Sequence, residues 1–183
     1  MAKFTDKPGI SFAILDYGSP QIIAAKFRDG ALRATDMMEP LAKISLDMME
    51  VEKRIWTSKG RRGGNPWPAL APSTVEKKGG RTTILVDTGQ LKRSVTEPGA
   101  PWQILEMSRY SLGFGTDRPW AFTHQYGSEG VFAGGRMLKN DVPQREFIKY
   151  IPNDYTRWNK IIVDYLLKPF MDRVPTKDII EDG

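Results

Sequence analysis

The sequence contains no cysteine and a single histidine, His124. The first absence excludes disulfide frameworks, thiolate nucleophiles and Cys-ligated zinc or iron–sulfur centres. The second excludes a multi-histidine metal site and a pair of acid–base histidines. A chain without cysteine suits a reducing cytosol. No apolar run approaches the roughly 20 residues needed to cross a bilayer. The opening residues, MAKFTDKPGI, lack the apolar centre of a signal peptide. The expectation is a soluble protein assembled in cytoplasm, with no membrane partner. Glycine motifs of the Walker or dinucleotide type are missing, and the carboxylates are dispersed. No cofactor and no metal site is expected.

What is present suits one globular domain with extensions: 183 residues, 40% hydrophobic and 27% charged. The formal charge of +5 is unevenly placed. Residues 53–93 carry a net +8, which leaves −3 for the rest. A basic stripe on a nearly neutral body points to a polyanion, nucleic acid foremost. The alternative is a solvated basic loop. Lys59, Arg61, Arg62, Lys77, Lys78 and Arg81 are the candidates to face DNA.

Periodicity predicts the elements. Two apolar runs flank Asp16–Pro20, and a hairpin is expected over 11–27. The strongest helical signal is 36–57, where Leu41, Ile44, Met48, Val51 and Ile55 form one stripe. Asp36 is its expected cap. A long basic loop, 59–83, holds Trp67-Pro68-Ala69-Leu70 and a short helix capped by Ser73 or Thr74. A short strand is expected at 84–86, and a helix over 88–95 with Thr88 as N-cap. Strands follow at 102–107 and 111–114, joined around Ser108-Arg109-Tyr110. A helix over 119–126 closes on Gly127. The last helix runs from Asn153 or Asp154 to about Lys168, where Pro169 stops it. The expected organisation is an extension over 1–35, one domain over 36–168, and a tail over 169–183.

Asp87-Thr88-Gly89 spells the loop of an aspartic protease. Such enzymes need two carboxylates sharing a proton. This chain has one such triplet, and Gln-Leu-Lys-Arg-Ser-Val follows it with helical period. The structural reading is preferred: a polar turn into a helix. The protease remains the remote alternative, beside that of a free nucleic-acid-binding protein using 53–93.

Five segments then occur in order. They are Trp67-Pro68-x-Leu70, Leu85-x-x-Thr88-Gly89-x-Leu91-x-x-Ser94, Gly113-x-Gly115-Thr116, Trp120-Ala121-x-x-His124-Gln125-Tyr126-Gly127, and Arg145-Glu146-Phe147. Together they resemble the virion morphogenesis, or tail completion, proteins of tailed bacteriophages, over roughly 36–168. Trp120 stands where that family usually has Tyr, and Arg145-Glu146-Phe147 replaces Arg-Pro-Phe.

The resemblance implies an α+β fold: a long helix in the N-terminal half on a small mixed, mainly antiparallel sheet, with a C-terminal helix and extended loops. It implies no catalysis. It implies a structural virion protein of the neck or upper tail, forming a homo-oligomeric ring, a hexamer, around the DNA passage. The other partners would be neighbouring neck and tail rings and, non-specifically, DNA phosphates. Trp67, Leu70, Thr88, Gly89, Leu91, Trp120, His124, Tyr126, Arg145 and Phe147 are then motif or interface residues.

Overall fold

The structure is a computed structural model and describes residues 20–128, 132–133, 136–137 and 142–171. The chain divides into two compact units. One comprises Met1–Thr35 with Asp164–Gly183, the other Asp36–Val163. The fold is α+β.

In the first unit, α1 (Pro20–Ala34) begins with proline at its first position, where the missing N–H costs nothing. This corrects the expected hairpin over residues 20–27; 11–19 lie outside the described residues. The reason is period: Ile23, Phe27 and Gly30 recur on one helical face. Phe27 meets Phe170 edge-on, ring centroids 5.0 Å apart. Gly30 allows the close approach, since a Cβ there would lie 3.5 Å from the Leu166 carbonyl and from the Phe170 ring. The Arg33 guanidinium sits 5.0 Å above the Tyr165 ring.

The second unit is organised by α2 (Met38–Ser58). The Asp36 carboxylate accepts the Met38 N–H at 3.0 Å, as a helix start needs. Ile44, Val51 and Ile55 of the expected stripe are buried, and Met49 and Trp56 join them. After α2, Lys59 and Gly60 both take left-handed backbone, and the Gly60 N–H caps the Ile55 carbonyl at 3.0 Å. A 3-10 turn at Arg61–Gly63 follows, then α3 (Pro72–Lys77), with proline rather than Ser73 or Thr74 at its start.

No strand forms at 84–86. Ile84 and Leu85 make a turn instead, with Leu85 at φ +56°. The Lys78 ammonium donates to the carbonyls of Thr83 and Val86, 2.6 Å each, and so holds the turn closed. Nor does Thr88 cap the next helix. α4 (Gln90–Thr96) starts from Gly89 at φ +78°, with no side-chain cap. Glycine takes the capping seat because the chain enters in a conformation that threonine resists.

β1 (Gln103–Met107) and β2 (Leu112–Thr116) form an antiparallel hairpin, with Leu105 opposite Phe114. α2 packs against this hairpin and α4, and Ser94 Oγ joins Thr116 Oγ1 at 2.7 Å. α5 (Ala121–Tyr126) ends on Gly127. Two short strands, β3 (Phe132–Ala133) and β4 (Arg136–Met137), pair antiparallel. Both strand pairs among the described residues are thus antiparallel. α6 (Pro152–Met171) passes Pro169 without stopping there. The proline removes one N–H from the ladder, while Phe170, on Phe27, anchors the last turn. Among the described residues, no helix is long and apolar enough to cross a membrane.

The core comprises Val51, Ile55, Trp56, Trp67, Ile84, Val95, Ala121 and Phe147. Gly60 is its tightest backbone approach. A Cβ there would fall 2.3 Å from the Asn65 carbonyl oxygen and 2.5 Å from the Trp67 ring. Gly64 has a similar φ of +82° but open space around it. Gly60→Ala should therefore cost more than 3 kcal/mol, adding a clash to the roughly 1–2 kcal/mol of left-handed strain. Gly64→Ala should cost only the strain. Urea unfolding of the two variants measures the difference.

Candidate interaction site

Three of the segments, those of Trp67, His124-Gln125 and Arg145-Phe147, converge in space through hydrogen bonds to backbone. The Trp67 indole N–H donates to the Glu146 carbonyl at 2.8 Å, and its ring meets Trp56 edge-on at 5.2 Å. The Arg145 guanidinium donates to the carbonyls of Pro68 and Ala69, both at 3.1 Å. The Arg145 N–H reaches the His124 carbonyl at 2.7 Å. Gln125 completes the clasp: its Oε1 accepts the N–H groups of Phe147 and Ile148, and its Nε2 donates to the Ile148 carbonyl at 2.8 Å. Trp67, Arg145 and Phe147 are buried. Gln125 is the clasp residue that residue-by-residue reasoning did not single out.

Beside the clasp lies an open groove of about 780 Å³, lined by Leu70, Lys78, Leu85, Val86, Val142 and Arg145 among others. His124 and Asp87 also line it. Burial, and secondarily the Arg145 charge, push His124 below its ordinary pKa, so it is neutral at neutral pH. Its Nδ1 is buried with no hydrogen-bond partner among the described residues. Thr88, Gly89, Leu91 and Trp120 line a smaller hollow next to it, which His124 shares.

The Asp87 side chain is 77% exposed and lies 3.7 Å from Arg81. A protease carboxylate is instead held beside a second carboxylate. The triplet Asp87-Thr88-Gly89 forms the bend that leads into α4.

The basic loop divides. Arg62 is withdrawn from it, forming a bidentate ion pair with Asp154, whose side chain is fully buried. Lys78 is spent on carbonyls, and the Arg81 Nε donates to the Lys78 carbonyl. Lys59, Arg61 and Lys77 remain as exposed cations.

Four large aromatics stand in solvent at or near the smaller hollow and the hairpin. Trp102, Trp120, Phe122 and Tyr126 are 46%, 57%, 69% and 62% exposed. The rings of Phe122 and Tyr126, one turn apart on α5, lie 4.8 Å apart. Arg118 stands 5.2 Å from the Trp102 ring. Trp102 and Trp120 both hold left-handed backbone, at φ +68° and +70°.

Beneath these surfaces runs a buried polar network. Asp154 accepts the Ile151 N–H at 3.0 Å, reaching back across the first turn of α6. Arg157 bonds both Asp154 and Asp47, and the Trp158 indole donates to Asp47 at 2.6 Å. Burial alone would raise the Asp154 carboxyl. The hydrogen bonds from Arg62, the Ile151 N–H and Arg157 outweigh it and hold the group below its usual range.

Glu52 has no such compensation. It is fully buried on α2, and neither carboxyl oxygen has a hydrogen-bond partner of normal geometry among the described residues. The Tyr150 hydroxyl bears on it, but at looser geometry than a normal hydrogen bond. Burial pushes its pKa up to about 9; Tyr150 and the Arg62 charge oppose the rise, and the Asp154 charge adds to it. Glu52 is therefore protonated in the native chain at neutral pH.

The sign of the linkage follows. Above its unfolded pKa of about 4.3, the unfolded chain has released a proton that the native chain keeps. Stability should fall by about 1.4 kcal/mol per pH unit as pH rises toward 9. Asp154 and His124 act at lower pH. Their stabilisation is lost as pH falls, through the folded carboxyl pKa for Asp154 and below about 6.5 for His124. Tyr150, itself raised by burial, acts only above about 10. The window from pH 7 to 9 thus isolates Glu52. Glu52→Gln should flatten the curve there and stabilise the protein at pH 9, read by urea unfolding at pH 7, 8 and 9. Parallel curves for the two proteins would mean that Glu52 is charged when folded.

Among known proteins, the model of the phage virion morphogenesis family matches residues 20–167. No curated protein and no solved structure matches the chain.

Proposed function

The chain belongs to the phage virion morphogenesis family, and we propose that within the virion it is a structural component of the head–tail junction. Membership assigns it a role in phage virion structure or assembly. The finer reading is a ring of identical copies, a hexamer, closed around the DNA passage and seated on neighbouring neck or tail rings. It works by packing and not by catalysis. The observation that carries this reading is the exposed aromatic surface of Trp102, Trp120, Phe122 and Tyr126. Large aromatics left in water are expensive, and they are enriched where proteins meet. A ring uses a head-to-tail contact, in which this patch on one copy meets a different patch on the next.

Light scattering of the full chain at rising concentration tests this. Wild-type protein should reach a multimer, and Phe122→Ser with Tyr126→Ser should hold it at the monomer with unchanged circular dichroism. Absence of the protein from purified particles would refute the placement.

The exposed cations Lys59, Arg61 and Lys77 favour a second element of the reading, contact with phosphate backbone. Such contacts carry no base specificity, as a passage for any genome sequence requires. Replacing all three by Gln should weaken DNA binding at low salt and reduce the slope of log affinity against log salt by up to about three. It should leave the multimer intact. Loss of the multimer together with DNA binding would favour a free nucleic-acid-binding protein that assembles only on DNA.

A further inference from the structure

The groove beside the clasp joins two properties that nothing within its own lining reconciles. It is apolar through Leu70, Leu85, Val86 and Val142, and it is cationic through Lys78 and Arg145. Arg145 is 5% exposed, yet its guanidinium donates only to the neutral carbonyls of Pro68 and Ala69. Lys78 likewise donates only to the carbonyls of Thr83 and Val86. Neither pairs with a carboxylate among the described residues. Arg145 is buried and Lys78 half-buried, and cations so placed gain from an anion, because charge-assisted bonds are about twice as strong as neutral ones. Asp87, which also lines the groove, is exposed and engaged by Arg81 at 3.7 Å. Among the described residues the Nδ1 of His124 lacks a partner as well.

We propose that this groove receives the segment Asp178-Ile179-Ile180-Glu181-Asp182 of a second copy of the chain. That segment has the matching chemistry: three carboxylates for the two cations, and two adjacent isoleucines for the apolar lining. A DNA phosphate would answer the charge but would leave Leu70 and Val142 uncovered. An extended acidic segment answers both: alternation puts Asp178, Ile180 and Asp182 on one side and Ile179 and Glu181 on the other, so each wall of the groove meets an isoleucine beside a carboxylate. The six residues 172–177 lie between the end of α6 and Asp178. They give the segment a reach of at most roughly 25 Å beyond α6. The inference rests on the self-association proposed above and not on where in the particle the copies assemble.

The test uses the full chain with a photo-crosslinking amino acid in place of Ile180, mixed from isotopically heavy and light preparations. Cross-links between heavy and light copies should map to peptides holding Leu70–Val86 or Val142–Arg145. Lys78→Glu should lower their yield about tenfold, as loss of a close charge pair does. Adding Asp178→Lys to that variant should restore it. Lys78 also holds the 83–86 turn, so its variant is paired with Asp178→Lys/Glu181→Lys alone, which should give the same loss without touching the groove. Cross-links confined within single copies, cross-links to other surfaces, or cross-links to added DNA in the groove would each overturn the inference. A multimer by light scattering that shows no groove cross-links sinks this inference alone. Absence from purified particles sinks the placement alone.

Discussion

The Trp67 indole is the point at which three separated stretches of chain are forced together. Its ring is stacked edge-on against Trp56 of α2, its N–H is bound to the Glu146 carbonyl, and Gly60 lies close under its face. Each contact constrains a different segment. The first ties the 59–71 loop to the long helix, the second ties that loop to residues 145–147, and the third allows no side chain at the helix exit. Arg145 and Gln125 then distribute the constraint, one to Pro68 and Ala69, the other to Phe147 and Ile148. The 59–71 and 145–148 segments, which have almost no regular secondary structure, are thereby tied to one another and to α2.

A second set of forces is electrostatic and joins the 61–63 turn to α2 and α6. Arg62, Asp154, Arg157 and Asp47 neutralise one another between the 61–63 turn, α6 and α2. Mixed pairs of this kind contribute little when exposed but are costly to break when one member is buried. Arg62 therefore serves the fold, and the positive surface of the loop is left to its neighbours. The same separation appears at Lys78, whose charge is turned to backbone carbonyls while Lys77 beside it stays in solvent.

Much of this was legible in the residues alone. The Ile44, Val51 and Ile55 spacing marked α2, the runs around Ser108–Tyr110 marked the hairpin, and Gly127 marked the end of α5. The family resemblance named Trp67, Arg145 and Phe147 as motif residues, but neither their convergence nor the bonds that achieve it could be read from it. What stayed hidden has physical causes. Ile84-Leu85-Val86 has the composition of a strand, but a strand exists only with a partner, and a lysine captured its carbonyls instead. Thr88 is a good cap in isolation, but the chain enters α4 through left-handed backbone that suits Gly89. Pro169 ends helices that nothing holds beyond it, and here Phe170 is held. Glu52 reads as an ordinary helix acid; only its position between Val51 and Ile55 on the buried face hinted otherwise.

That last residue has a consequence for the physiology of assembly. A carboxylic acid stored neutral in the interior makes the native subunit a proton sink. Each copy that folds at neutral pH withdraws close to one hydrogen ion from its surroundings. Folding of each copy is thus tied to ambient acidity through one interior carboxyl group.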